Sequence, residues 1–144
     1  MRATDLAYSQ ALGIRDAPSG AEHLLELPGS PTVQNHLGTI HAAAQFSLAE
    51  AASAECLQRH FGAQLRDAIG AVRSAEVRYR RPATGRLRAF AEPDADTRTE
   101  LIDNVQRRGR SGAVILVDLR DDAGTLTFHA RFEWFISHRP NTAP

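Results

Sequence analysis

Residues 39–60, TIHAAAQFSLAEAASAECLQRH, form the longest helical pattern in the chain. The stretch contains no proline, and positions 42–54 are rich in alanine, the residue with the highest helix propensity. Gly62 follows closely, and glycine commonly ends helices. The stretch therefore predicts one long helix, and its small side chains allow a sheet to lie close to the helix axis.

Strand-like segments lie on both sides of this helix. A second, shorter helix is predicted at 97–108, and Asp121-Asp122-Ala123-Gly124 is typical of a hairpin turn. Pro82-Ala83-Thr84-Gly85 is expected to turn the chain between two consecutive strands. Strands that follow one another in runs favour an α+β fold, with an antiparallel sheet of about five strands covered by the long helix. The predicted strands are 22–27, 71–81, 86–91, 113–119 and 125–136.

Length and composition restrict the possible classes of protein. The 144 residues suit one domain, which we divide into an N-terminal helix and loop (1–30), a core (31–137) and a short C-terminal tail (138–144). The 17 basic and 17 acidic residues cancel, so no net charge attracts nucleic acid or an anionic membrane. No signal-peptide pattern or membrane-length apolar run is visible, and we expect a soluble, cytoplasmic protein.

The residue types present exclude several kinds of chemistry. All basic residues are arginine, so a Schiff-base lysine and a phosphate-loop lysine are excluded. Cys56 is the only cysteine, and it reads as a small core residue. The six histidines do not have metal-ligand spacing, and no metal site is predicted. Ser47 and Ser53 lack the Gly-x-Ser-x-Gly motif of serine hydrolases.

Glu50 is the candidate that the helical pattern singles out. Its neighbours three and four positions away on a helix are Phe46, Ser47, Ser53 and Ala54. A carboxylate in this mainly apolar stripe faces a confined space if the helix covers the sheet, and loss of solvation there raises the pKa of a carboxyl. The alternative is a carboxylate at the edge of the helix that reaches solvent.

The loop before the helix supplies a second candidate element. Gly38-Thr39-Ile40-His41-Ala42 leads into the helix N-terminus, where backbone N–H groups lack partners and the dipole is positive. Such an end can stabilise an oxyanion without any special side chain. Asn35 and His41 add neutral polar groups on either side. Together with a carboxylate base, these parts suit acyl transfer to water.

The same residues resemble a known family. Asn35-x-x-Gly38-x-x-His41 followed by Phe46-x-x-x-Glu50 looks like the signature of hot-dog-fold thioesterases, in particular the phenylacetate-pathway-like and related uncharacterised branches. In that signature an acidic residue stands nine positions after the His, as Glu50 does here. The segment from Val77 to Gly85 resembles the strand and turn after the central helix of that fold. The resemblance covers most of residues 30–136 and implies a single hot-dog domain over 1–144, with the sheet wrapped around the helix.

The resemblance also implies roles for individual residues. Glu50 would be the general base or nucleophile, and the N–H of Ala42 or Ala43 would hold the oxyanion. Asn35 from the other subunit would orient the substrate or the attacking water, and His41 would shape the loop or polarise the carbonyl. The predicted substrate-binding residues are Gly38, Ala43, Ser47, Ala54, Arg80 and Arg81.

The implied substrate is an acyl-CoA or a related thioester, with coenzyme A as part of the substrate and no further cofactor. The implied assembly is a homodimer or homotetramer with active sites between subunits. One departure is that the usual His-Gly-Gly reads His41-Ala42-Ala43 here. A non-catalytic module that binds acyl thioesters, or a structural dimer, is therefore the alternative to an acyl-CoA thioesterase. A dehydratase or isomerase would need a second acid–base group, and only His41 is in range.

Arginines on two predicted strands form a further candidate patch. They are Arg78, Arg80, Arg81, Arg86 and Arg88. One interpretation is a solvated face with cross-strand partners such as Glu76 and Glu92. The other is a phosphate-binding patch for coenzyme A, because the guanidinium group binds phosphate in a bidentate manner. Phe132, Trp134 and Phe135 in the last strand are expected to pack in the core or in an interface.

Overall fold

The long helix of the fold, α2, spans Ala42–Phe61 in a computed structural model that describes residues 2–139. It begins after His41, whose Nδ1 accepts a hydrogen bond from the N–H of Ala43 at 3.0 Å. It ends at Gly62, as the sequence predicts. The helix starts three residues later than the pattern 39–60 indicates, because Thr39, Ile40 and His41 belong to the hydrogen-bonded loop before it.

Six antiparallel strands form one sheet in the order β1-β2-β4-β5-β6-β3. The predicted α+β class and antiparallel sheet are confirmed, and the additional strand is the two-residue β1 at one edge. The strands are β1 (Arg15–Asp16), β2 (Leu25–Leu27), β3 (Ala68–Tyr79), β4 (Leu87–Pro93), β5 (Arg110–Arg120) and β6 (Leu126–His138).

The strands β3 and β4 are not neighbours, although they follow each other in the chain. Strand β3 pairs with β6, from Ala68 opposite His138 to Tyr79 opposite Phe128, and so occupies one edge of the sheet. Strand β4 lies between β2 and β5. The turn that contains Gly85, with φ of 68°, therefore carries the chain across the sheet and does not close a hairpin. This corrects the expectation that arginines of the two strands share one patch.

The core lies between α2 and the inner face of the sheet. Leu48 and Ala52 of α2 are fully buried, as are Phe128 and Phe132 of β6. Alanine on α2 lets the helix lie close to the strands, and each fully buried large apolar side chain contributes roughly 1.5–3 kcal/mol. This packing fixes α2 relative to the sheet.

A second helical layer comes from the N-terminal segment, which we define as residues 2–12. It contains a short 3-10 turn (Ala3–Asp5) and α1 (Ala7–Leu12), and both contact α2. The Tyr8 hydroxyl and Ser47 Oγ are 3.0 Å apart and share a hydrogen bond. Arg2 forms an ion pair with Asp16 at 2.7 Å. Residues 2–12 are therefore held against the face of α2 that the sheet leaves uncovered.

The helix α3 (Ala95–Arg108) and the last hairpin agree with the sequence pattern. Asp94 caps α3 by accepting a hydrogen bond from the N–H of Thr97, and Gly109 ends it with φ of 72°. The strands β5 and β6 pair through the turn at 121–124. Within residues 2–139, no helix combines the length and the apolar character that a membrane crossing requires. Of the predicted tail 138–144, residues 140–144 lie outside the described part.

Candidate active site

Glu50 lines a cavity of about 700 Å³ between α2, β3 and the N-terminal segment. This volume lies within the range of small-molecule sites, roughly 300–1,000 Å³. Small and apolar side chains form most of the wall, while Arg2, Arg66 and Arg139 also line the cavity. The small and apolar residues of the wall include Ala3, Leu6, Ala54, Leu57, Gly70, Trp134 and Ile136.

The Glu50 carboxylate has no counter-charge bound to it. It is half-buried and makes no hydrogen bond or ion pair with any residue that the structure describes. Burial raises the pKa of Glu50 above its ordinary value of 4.5. A carboxylate with a raised pKa that lines a cavity is suited to accept a proton.

Trp134 forms a fixed part of the same cavity. Its indole Nε1–H donates to Ser53 Oγ at 3.1 Å, and Ser53 Oγ donates to the backbone oxygen of Glu50 at 2.7 Å. These bonds connect the indole ring to the turn of α2 that carries Glu50. Sequence reasoning placed Trp134 in the core or an interface and missed its part in the cavity, because 84 positions separate it from Glu50. Its position in β6 gave no signal of this contact.

Asn35 folds the loop before α2 in its own subunit. Its Oδ1 accepts from the N–H groups of Leu37 at 2.9 Å and Thr39 at 3.2 Å, and its Nδ2 donates to Thr39 Oγ1 at 2.9 Å. Gly38 completes the turn with φ of 73°, a conformation that glycine adopts readily. Neither Asn35 nor Gly38 lines the Glu50 cavity of the same chain.

Hydrogen bonds at the start of α2 distinguish the backbone N–H groups of Ala42 and Ala43. The N–H of Ala43 is used by His41 Nδ1, so the neutral ring carries its proton on Nε2. The N–H of Ala42 donates to no group in the described part of the chain, and Ala42 is exposed. Of the two predicted oxyanion donors, Ala42 is therefore the one with an available N–H.

The other predicted substrate-binding residues lie in different places. Ala54 lines the Glu50 cavity. Ser47 Oγ donates to the backbone oxygen of Ala43 at 2.8 Å and bonds to Tyr8, so its hydroxyl serves local structure. Arg80 and Arg81 are exposed beyond the end of β3, where their backbone N–H groups donate to the oxygen of Thr127. These two arginines lie outside the cavity.

The predicted patch of five arginines is split between two parts of the sheet. Arg86 and Arg88 both pair with Asp122, at 3.0 and 2.9 Å. Glu92 pairs with Arg98 of α3 at 3.1 Å, not with an arginine of β3. The cause is the strand order, which places β5 and β6 between β4 and β3.

The remaining candidates have structural roles. Cys56 is fully buried, and burial raises the pKa of its thiol to about 12. A neutral, buried thiol is a poor nucleophile. Among the described residues, no group of three His, Cys, Asp or Glu side chains is arranged to hold a metal ion.

Solved structures with the same fold include enzymes of known class. A Pseudomonas aeruginosa protein of unknown function, described as a probable thioesterase, is 25% identical, with a TM-score of 0.79 over 94% of this chain and 89% of that one. A Haemophilus influenzae thioesterase is 18% identical, with a TM-score of 0.72 over 97% and 90% of the two chains. A Bacillus halodurans protein, solved with CoA, is 21% identical, with a TM-score of 0.68 over 90% and 74%. The last two likenesses are evidence for the fold alone.

The likeness to the Pseudomonas aeruginosa protein confirms the hot-dog fold that the motif around Asn35 and Glu50 indicates. A comparison with functionally curated proteins gives no match. The model of the family described as Domain of unknown function (DUF4442) matches residues 14–136. The chain therefore belongs to the DUF4442 family, and it has the hot-dog fold of the thioesterase superfamily.

Proposed function

We propose that the protein is a thioester hydrolase of the acyl-CoA thioesterase type. The observation that carries the proposal is Glu50, a half-buried carboxylate without an ion-pair partner among the described residues, which lines a cavity of about 700 Å³. The same fold in a thioesterase, and in a protein solved with CoA, supports this reading. A cavity of this kind can hold an acyl group beside a base.

In the proposed reaction, Glu50 acts on the thioester carbonyl in one of two ways. As a general base, its carboxylate takes a proton from water while the water oxygen bonds to the carbonyl carbon. As a nucleophile, it bonds to that carbon itself, and water hydrolyses the resulting anhydride. In both cases the C–S bond breaks, the thiol leaves with a proton, and a carboxylic acid is released.

The N–H of Ala42 is the proposed donor to the oxyanion that forms on the carbonyl. It stands at the N-terminus of a 20-residue helix, where the helix dipole also favours negative charge. Glu50 is eight residues further along the same helix, roughly 12 Å at a rise of about 1.5 Å per residue. One thioester carbonyl cannot contact both groups of one helix, so the proposed site combines Glu50 of one subunit with the Asn35–Ala42 loop of another.

The edge of the sheet offers a way to form such a dimer. Strand β3 is 12 residues long and lies at the end of the strand order. Its residues Ile69 and Tyr79 are 45% and 49% exposed. Pairing of two β3 edges would continue the sheet and satisfy backbone groups that are otherwise left to water. A further association of dimers into a tetramer is compatible with this arrangement.

The proposal is tested by hydrolysis of a panel of acyl-CoAs by the wild type and Glu50→Gln. We expect kcat to fall by on the order of 10²–10⁴, the usual contribution of a placed acid–base group. Glu100→Gln is the matched control, because Glu100 is exposed on α3 and away from the cavity. An unchanged rate in Glu50→Gln, with active wild type, would reject Glu50 as the base or nucleophile.

Mixing two inactive variants tests the arrangement across subunits. Glu50→Gln and Asn35→Ala subunits, unfolded and refolded together, should form heterodimers that each retain one intact site. We expect recovery of about a quarter of wild-type activity in a random equimolar mixture of a two-fold symmetric dimer. Recovery of none, with dimers shown by size measurement, would contradict the shared site.

The replacement of Gly-Gly by Ala42-Ala43 favours one second candidate, a non-catalytic module that binds acyl thioesters. The methyl groups narrow the approach to the helix N-terminus, where both alanines are exposed. Saturable binding of acyl-CoA by calorimetry, without turnover of any acyl-CoA in the panel, would favour this function over hydrolysis.

A further inference from the structure

The N-terminal segment (residues 2–12) forms part of the cavity that contains Glu50. Ala3 and Leu6 line that cavity, with Ala3 buried and Leu6 45% exposed. The family model begins at residue 14, so this wall precedes the region that the family match covers. The cavity is thus built partly from residues outside the matched region.

Polar contacts hold this segment in place. Arg2 pairs with Asp16 at 2.7 Å and lies 3.9 Å from the buried Glu55. Thr4 Oγ1 donates to Asp16 at 3.3 Å. The hydrogen bond between Tyr8 and Ser47 joins α1 to α2. Because these contacts lie at both ends of the segment, the cavity wall that it forms has a defined position. A surface that selects ligands by size must be fixed in this way.

Gly70 of β3 lines the opposite wall of the cavity, next to Trp134. A Cβ atom at Gly70 would lie 3.0 Å from Ile136 Cδ1 and 3.4 Å from Trp134 Cε3. The missing side chain therefore leaves the indole ring open to the cavity. Alanine at this position would remove that space and would require only a small shift of the flexible end of Ile136.

We propose that Leu6 of the N-terminal segment and Gly70 of β3 set the length of the acyl chain that the protein accepts. The inference rests on the proposed function and deepens it. Leu6, Leu57 and Trp134 give the cavity apolar walls, while Glu50 is its one acidic group. An apolar chain gains free energy there by leaving water, and a longer chain gains more if the cavity has room for it.

The test compares kcat/KM for dodecanoyl-CoA and hexanoyl-CoA in three variants. Leu6→Ala enlarges the cavity and should raise the ratio of the long to the short substrate, by on the order of tenfold. Gly70→Ala reduces the cavity and should lower the ratio by a similar factor. Gly112→Ala is the matched control, because a Cβ at Gly112 meets only the Trp134 backbone oxygen, at 3.9 Å, in the neighbouring strand pair.

Two results would overturn the inference. A wild-type ratio in a folded Leu6→Ala would exclude the N-terminal segment as a size filter. A wild-type ratio in a folded Gly70→Ala would exclude Gly70. If the wild type hydrolyses no acyl-CoA of the panel, the proposed function fails, and the dissociation constants of dodecanoyl-CoA and hexanoyl-CoA take the place of kcat/KM with the same expected order.

Discussion

Two carboxylates near α2 have opposite surroundings. Glu26 in β2 is 3% exposed. Its carboxylate accepts a hydrogen bond from His23 Nε2 at 2.9 Å and forms a hydrogen-bonded ion pair with the Arg15 guanidinium at 3.2 Å, and the Arg86 guanidinium is 3.8 Å away. Burial raises the pKa of Glu26, but these hydrogen bonds and charges more than offset burial, so its pKa lies below the ordinary value of 4.5. Glu50 has burial without such partners, and its pKa is raised.

The difference separates a carboxylate that is held by partners from one that is free to accept a proton. A buried charge with partners on several sides is stabilised in its ionised form and has little tendency to take a proton. A half-buried charge without partners is costly to keep, and it readily accepts a proton from a reacting group. Glu50 is of the second kind, and it lines a cavity that a substrate or water can enter.

The largest expected difference between Glu26 and Glu50 is in the free energy of unfolding after each charge is removed by substitution. Glu26→Gln should lower the free energy of unfolding by about 1.5–3 kcal/mol, because it weakens hydrogen bonds to a charged group. Glu50→Gln should leave that free energy unchanged or raise it at neutral pH, because it removes a half-buried carboxylate that has no partner. Denaturant unfolding followed by circular dichroism measures both.

Glu100→Gln serves as the control, since substitutions on an exposed surface usually change stability by less than about 0.5 kcal/mol. Loss of stability in Glu50→Gln that matches the loss in Glu26→Gln would show that Glu50 has structural partners. That result would remove the distinction between the two carboxylates.

Acidification should affect activity, through Glu50, and stability, through Glu26, at different pH values, and this effect is smaller than that of the substitutions. In the proposed reaction Glu50 must be ionised to act, and its pKa is raised by burial, so kcat/KM should begin to fall while the pH is still above 4.5. Below the pKa of Glu50 the fall should be about tenfold per pH unit. The groups that share its cavity are Arg2, Arg66 and Arg139, and arginine stays charged throughout this range.

Stability should respond at lower pH than activity. The pKa of Glu26 is lowered, so its contribution to folding is present above its unfolded pKa, near 4.5, and is lost as the pH falls through the folded value. The opposite holds for Glu50, whose ionisation disfavours folding. Rates and thermal unfolding measured across the same pH series check this order. Loss of structure before loss of rate would contradict it.

Local patterns predicted much of the fold from the sequence. Alanine content and the absence of proline predicted α2, the 3.6-residue apolar period predicted α3, and Asp121–Gly124 predicted the last hairpin. Glu50 emerged as a candidate because its neighbours on a helix are known once the helix is known. These features depend on residues that are close in the chain.

Features that depend on distant residues were not predictable in the same way. The placement of β3 beside β6 follows from eleven paired positions, each more than 45 residues apart in sequence, and no local turn signal encodes it. The same holds for the approach of Leu6 and Trp134 to one cavity. Periodicity indicates which face of a strand is buried, but not which strand lies next to it.

The position of Cys56 gives the helix that carries Glu50 a built-in probe. The thiol is fully buried, and burial raises its pKa to about 12, so the folded chain presents no reactive thiolate to solvent. A thiol-alkylating reagent can modify it only in molecules whose α2 has opened. The rate of alkylation of the chain's single sulfhydryl group therefore reports how often this helix separates from the sheet.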